Sequence, residues 1–190
     1  METVTSRLLF SPRAFRMTAK VPDLSLLDGV VAPEILAAMR SASAQLTLAG
    51  IPHALAGALA VGSWGYPRAS RDVDFLVGDE AFERHAGGIV TMAPGVPIGV
   101  GGVPVDHLGV LPHERHLQQA VIQPVADGAV PIVPLEALIY LKLKSPRRRD
   151  EADVVELLRI NDPSPVRRYL EKNAREMLAK FDAVAEEAER

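Results

Sequence analysis

Asp72 and Asp74 are the residues of this chain whose type and spacing most plainly suit chemistry. They stand two apart in Asp72-Val73-Asp74-Phe75-Leu76-Val77, a run that alternates and then turns apolar, as a strand entering a core does. Residues two apart on a strand emerge from one face, so the two carboxylates lie roughly 6.5–7 Å apart. Carboxylates that close repel unless a cation sits between them. A hard divalent ion such as Mg²⁺ prefers carboxylate and phosphate oxygens. Upstream, Gly57 lets the backbone approach closely, and a short helix begins right after it. A helix start offers free N–H groups to a phosphate. A phosphate cradle and a metal pair within twenty residues are the parts that phosphoryl-type transfer requires. The competing reading is a surface strand end whose acids are neutralised by Arg68 or Arg71.

The elements that must position these groups follow from pattern. Pro33 opens a helix in which Ile35, Leu36, Met39, Ala42, Leu46 and Ala49 form an apolar stripe, with Gly50 as its stop. Residues 53–56 read as a short buried strand, and residues 57–63 as a turn into a short helix. Short strands are expected at residues 89–92, 97–100 and 103–110, joined at Pro94-Gly95 and Gly101-Gly102. Helices follow at residues 135–143 and 149–160, the second with Val154, Val155, Leu157 and Leu158 inward. After a break at residues 161–165, Ser164 caps a final helix with Pro165 at its first position. Val166, Tyr169, Leu170, Met177, Phe181 and Val184 give it one apolar face, and residues 183–190 are expected to fray. The order predicts an α+β (α/β) fold, a mixed sheet flanked by helices with further C-terminal helices. Residues 1–32 read as an N-terminal extension, 33–162 as the main domain, and 163–190 as a C-terminal helix packed on it.

Bulk composition narrows the function. With 190 residues and 48% hydrophobic content the chain can build a real core. A net charge of −3 gives no global electrostatic reason to bind DNA. No cysteine is present, which excludes thiolate metal sites and suits the cytoplasm. No apolar run reaches the roughly 18 residues of a membrane helix, so no membrane partner is expected. The first twenty residues carry Arg7, Arg13, Arg16 and Lys20 without the apolar stretch of a secretory signal.

The stretch from Leu55-Ala56-Gly57-Ala58 to Asp72-Val73-Asp74 resembles the nucleotidyltransferase superfamily. That signature is a hydrophobic residue, Gly, then Gly or Ser, and later an acid-hydrophobic-acid triplet. The run Gly-Tyr-Pro-Arg-Ala-Ser-Arg-Asp-Val-Asp looks most like the compact branch related to AbiEii-type toxins and the minimal nucleotidyltransferases. Leu141-Lys142-Leu143 and Arg149-Asp150-Glu151-Ala152-Asp153 resemble later helical segments of that branch. Ala58 departs from the pattern: it keeps the backbone N–H but lacks the hydroxyl of Ser or the freedom of Gly.

The resemblance implies transfer of a nucleoside monophosphate from a nucleoside triphosphate (NTP) to a hydroxyl on tRNA or a protein, in a toxin–antitoxin or phage-defence setting. Mg²⁺ or Mn²⁺ would be the cofactor, held by Asp72, Asp74 and a third carboxylate from a neighbouring strand. Asp106 is the candidate, with Asp79, Glu80 and Glu83 as competitors. Gly57, Ala58, Ser63, Arg68 and Lys142 are the expected nucleotide contacts. Several alternatives stay open. Ser63 either touches a phosphate or bonds its own helix backbone. Arg68 either approaches the triphosphate or pairs with Asp72. Lys142 either reaches the phosphates or snorkels into solvent. Arg149, Asp150 and Asp153 suit an ion network supporting the site. The basic run Lys142, Lys144, Arg147, Arg148 and Arg149 either holds RNA phosphates or is a solvated junction. Trp64 and Tyr66 either stack on a base or pack in the core. His113 and His116 lack enough convergent partners for zinc. The alternative function is a module of the same fold that binds nucleotide or a partner protein without turnover.

Overall fold

The computed structural model describes residues 20–78, 81 and 98–190. Among them, seven α-helices surround one mixed six-stranded sheet, ordered β3-β4-β2-β1-β6-β5. The strands are β1 (His53–Leu55), β2 (Val73–Val77), β3 (Ile98–Val100), β4 (Val103–Gly109), β5 (Val125–Asp127) and β6 (Val130–Ile132). The helices are α1 (Pro33–Leu48), α2 (Gly57–Ser63), α3 (Arg115–Ile122), α4 (Leu135–Lys144), α5 (Arg148–Ile160), α6 (Pro163–Asn173) and α7 (Leu178–Ala188). The expected mixed α/β class is what the structure shows. No helix of the described residues is long and apolar enough to cross a membrane.

The pairing of β2 with β4 sets up everything that follows. The two run parallel, with Asp74 opposite Asp106 and Phe75 opposite His107. Because strand side chains alternate, Val73, Phe75, Val105 and His107 share one face, and Asp74 and Asp106 share the other. The first face meets α1: His53 of β1 bonds Ser43 of α1 through Nε2 at 2.9 Å and holds the Ile51 carbonyl through Nδ1 at 2.8 Å. Burial pushes the His53 pKa down, so it is a neutral core residue. On the opposite face the apolar side chains of α4 approach the acids.

Several boundaries differ from the pattern reading. Residues 20–32 are not loosely attached. Leu24 and Leu27 form a 3₁₀ turn and are buried with Val31. The Asp23 amide donates to the Ser63 carbonyl at 2.8 Å, and the Leu24 amide to Asp127 at 2.6 Å. A methyl group at Gly62 would stand 2.3 Å from Leu27, which shows how closely this segment lies on α2. The C-terminal region is two helices, not one, divided by a 3₁₀ turn at Arg175–Met177. Asp162, not Ser164, caps α6: its side chain accepts from the Ser164 amide, and Pro163 precedes Ser164 in the first turn. The tail does not fray early, because Val184 is buried and α7 continues to Ala188. The strand expected at 89–92 and the turn at Pro94-Gly95 lie outside the described residues.

Candidate active site

Asp72 precedes the first residue of β2, Asp74 is its second residue, and Asp106 lies beside Asp74 on β4. All three line one cavity of about 800 Å³. Gly57 and Ala58, and Leu138, Leu141 and Lys142 of α4, line it as well. Arg71, Arg147 and Arg149 also line it, so the cavity carries acidic and basic side chains together.

None of Asp72, Asp74 and Asp106 makes an ion pair among the described residues, and no donor hydrogen-bonds to the carboxylates of Asp74 or Asp106. Among the described residues only Ser70 braces the group, donating its hydroxyl to Asp72 at 2.7 Å. Burial, and then repulsion from Asp72 and Asp106, push the Asp74 pKa up to about 6. A carboxylate held uncomfortable in this way is what a cation or a proton relieves. Asp79, Glu80 and Glu83, the competitors for the third position, lie outside the described residues.

Gly57 is required for two separate reasons. Its φ is +59°, a left-handed conformation costly for any residue with a Cβ. A Cβ there would also fall 1.7 Å from Asp74 Oδ2 and 2.8 Å from Asp74 Cβ. The bend is therefore fitted around the Asp74 carboxylate. Because α2 spans only seven residues, its macrodipole contributes little, and space matters more than field. Gly57→Ala is expected to cost about 2 kcal/mol of stability from the backbone conformation. Displacing Asp74 should also reduce any nucleotide transfer about 100-fold. Urea unfolding and initial rates on the same preparation check both.

Arg68 and Lys142 both line the cavity, but carboxylates of α5 hold them. Arg68 does not pair with Asp72. Its guanidinium grips Asp153 of α5 through two bonds of 2.7 Å, although it lines the cavity. Lys142 is only 8% exposed, and its ammonium is held by Asp153 at 2.8 Å and by Asp150. Ser145 donates to the other oxygen of Asp150 at 2.6 Å. Although burial opposes it, bonds from Lys142 and Ser145 keep the Asp150 pKa below the usual range. Asp150 and Asp153 thus act as the structural support expected of them. Lys142 is neither a free arm nor a snorkelling side chain; two carboxylates fix it against the cavity.

Ser63 is a correction. It is fully buried near the end of α2, and its hydroxyl donates to the Ala60 carbonyl at 2.8 Å, away from the cavity. Ser63→Ala is expected to cost about 1 kcal/mol of stability. Nucleotide affinity should stay unchanged, as calorimetric titration would read. Trp64 is likewise a core residue, its indole N–H donating to the Val133 carbonyl at 3.0 Å. Two residues escaped the pattern reading: Ser70 at the site and Glu114 at a neighbouring cavity. Ser70 offered a local signal, a hydroxyl two positions before an acid. Glu114, buried and bonded to Tyr140 and Lys144, offered none, because those partners lie 26 and 30 residues away.

No three His, Asp or Glu side chains among the described residues stand in a ready-made metal-holding arrangement. A small cation such as Mg²⁺ is commonly held by one or two carboxylates together with substrate phosphates. Asp74 with one of its neighbours Asp72 and Asp106 fits that mode: the donors are all oxygen, and none of the three makes an ion pair among the described residues.

No family model matches the chain, and no curated protein matches it significantly. Among solved structures it is similar to an antigenic nucleotidyltransferase-like protein from Paracoccidioides brasiliensis. That match has 12% identity and a TM-score of 0.43, and covers 68% of this chain and 77% of the other. A likeness that loose transfers no residue role.

Proposed function

We propose that this protein is a metal-dependent nucleotidyltransferase that moves a nucleoside monophosphate from a nucleoside triphosphate to a hydroxyl acceptor. One observation carries the reading. Asp72, Asp74 and Asp106 share a cavity with Arg71, Arg147 and Arg149, and none of the three acids makes an ion pair among the described residues.

In this mechanism the triphosphate lies in the cavity beside Gly57. Arg71, Arg147 and Arg149 offset its charge. Asp72 and Asp74 would hold Mg²⁺ or Mn²⁺ against the phosphates, with Asp106 beside them. A bound ion there supplies charge neutralisation and a more acidic acceptor hydroxyl. The acceptor oxygen bonds to the α-phosphorus as the bond to the bridging oxygen breaks. Pyrophosphate leaves, and the acceptor's proton passes to Asp106. Lys142, anchored by Asp150 and Asp153, keeps a fixed place in the cavity lining.

The acceptor belongs to the same proposal: a hydroxyl on tRNA or on a partner protein, in a toxin–antitoxin or phage-defence setting. Its support is the resemblance of residues 65–74 to the AbiEii-type branch. The decisive experiment incubates the protein with each labelled NTP, Mg²⁺, and separate tRNA and protein pools. Label incorporation that disappears in Asp74→Asn supports the reading. Incorporation that survives in Asp74→Asn, or none in either pool with Mg²⁺ or Mn²⁺, refutes it. A second reading, nucleotide binding without turnover, gains from the lack of a ready-made set of three metal ligands among the described residues. Saturable nucleotide binding without incorporation distinguishes it.

A further inference from the structure

A second cavity of about 370 Å³ opens beside the first and shares Leu108, Leu141 and Ser145 with it. Its size falls at the low end of small-molecule pockets, roughly 300–1,000 Å³. Leu76 and Leu111 extend the apolar wall, and Glu114 and Lys144 supply the charged groups beside His107 and Ser145. Glu114 is only 1% exposed. The Tyr140 hydroxyl and the Lys144 ammonium each donate to it at 2.6 Å, and both bonds land on Oε1. No donor among the described residues reaches Oε2. An ionised carboxylate has acceptor sites on both oxygens, so this buried group retains unused capacity.

The chemistry of an occupant follows. Lys144 already balances the charge of Glu114, so a second cation is not called for. Leucine walls favour a flat or apolar body. The spare oxygen calls for a neutral N–H donor. Lys144, whose side chain is 38% exposed, retains donors of its own for a neighbouring acceptor. Leu108 lies two residues beyond Asp106 on β4, roughly 6.5–7 Å along the strand. An occupant can therefore reach the reaction cavity with its other end.

We propose that this second cavity holds an amino-bearing nucleobase, that is adenine, cytosine or guanine, with its amino group on Glu114 and an adjacent acceptor facing Lys144. This inference rests on the nucleotidyl-transfer reading of the neighbouring cavity and adds a preference of base to it. Uracil fits worst, because its single N–H on that edge is flanked by carbonyl oxygens that Glu114 repels. Two sources carry the same chemistry: the donor triphosphate, or the terminal base of an acceptor strand.

Calorimetric titration of the full chain with the four ribonucleosides tests the cavity without phosphates or metal. Adenosine, cytidine and guanosine are expected to bind about tenfold more tightly than uridine. Glu114→Gln should erase that difference while keeping the hydrogen bond from Tyr140. Leu111→Trp fills the rim from a position already 43% exposed, and should weaken all the amino-bearing nucleosides at least about tenfold. Parallel titrations with the four triphosphates, and with short RNAs ending in each base, assign the source: discrimination among triphosphates alone means the donor, among RNA ends alone the acceptor. Equal affinity for uridine, indifference to Leu111→Trp, or no binding of any nucleoside overturns the proposal. Because nucleoside binding is read apart from label transfer, and should persist in Asp74→Asn, its failure is distinguishable from failure of the transferase reading.

Discussion

Asp74→Asn is expected to remove nucleotide transfer and, in the absence of divalent metal, to make the protein more stable above neutral pH. The two effects share one cause. In the folded protein, burial and the neighbouring Asp72 and Asp106 raise the Asp74 pKa from 3.8 to about 6. The native state therefore holds a proton that the unfolded chain has already released between about pH 4 and pH 6. Since the native state binds more protons in that window, stability falls as pH rises through it, then levels off. Asparagine has the same shape and no charge to bury, so the variant lacks this decline. A pKa shift of one unit corresponds to about 1.36 kcal/mol. Partial exposure of the carboxylate tempers the full shift, which leaves an advantage on the order of 2 kcal/mol for the variant at about pH 8. Near pH 4 the two proteins should converge. Urea midpoints at the two pH values check this directly.

Divalent metal should reverse the order. A cation beside Asp74 relieves the repulsion and returns the stability that ionisation cost, so Mg²⁺ should raise the wild-type melting temperature and leave the variant almost unmoved. Transfer should fall at least about 100-fold in the variant, because charge stabilisation by a metal is worth several kcal/mol. A variant no more stable than wild type at about pH 8 would mean that the three acids do not repel as their placement indicates.

The part of the site that was legible in the sequence is the part made by neighbours in the chain. Gly57, Asp72 and Asp74 lie within one strand–helix–strand passage, and alternation along β2 alone places the latter two on one side. Asp106 was reachable because residues 103–109 read as a strand, although its register opposite Asp74 came only from the fold. What failed was pairing across distance. Arg68 stands four residues before Asp72, and proximity in sequence made that acid its natural partner. The fold instead brings Asp153 to it from 85 residues away. Ser63 failed for a related reason. Position in a motif says nothing about which side of a short helix turns inward, and here the core claims the hydroxyl.

The fold shows the same division. Long periodic segments such as α1 and α5 were readable from apolar spacing, since burial of one stripe dictates it. The hairpin of β5 and β6 was missed, although Asp127-Gly128 between short apolar runs is a turn signal, and Gly128 has a φ of +60°. Three-residue strands carry too little periodicity to stand out. Residues 20–32 were misjudged because Leu24 and Leu27 gain their burial from α2, which no local pattern reveals.

Asp153 should prove the most sensitive position for folding, although it touches no part of the proposed substrate. Its side chain is 2% exposed and neutralises two cations, Arg68 through a bidentate grip and Lys142 through one oxygen. Asp153→Ala leaves Arg68, whose side chain is only 17% exposed, with no carboxylate partner among the described residues. Breaking a buried ion pair from one side typically costs 3–5 kcal/mol, against a total of roughly 5–15 kcal/mol for a domain. The Asp153→Ala protein should therefore unfold at much lower urea or fail to accumulate. The cost comes from stranded charge rather than lost attraction, and a second change separates the two. Replacing both partners, Arg68→Met with Asp153→Leu, removes the charges together and leaves Lys142 on Asp150. If stranded charge dominates, the double variant recovers most of the stability that Asp153→Ala loses. If it stays as unstable as the single variant, the loss lies in packing between α5 and the segment carrying Arg68. The same pair of proteins separates folding from function: the double variant should fold yet bind triphosphate more weakly, because Lys142 would then be held against the cavity by one carboxylate instead of two.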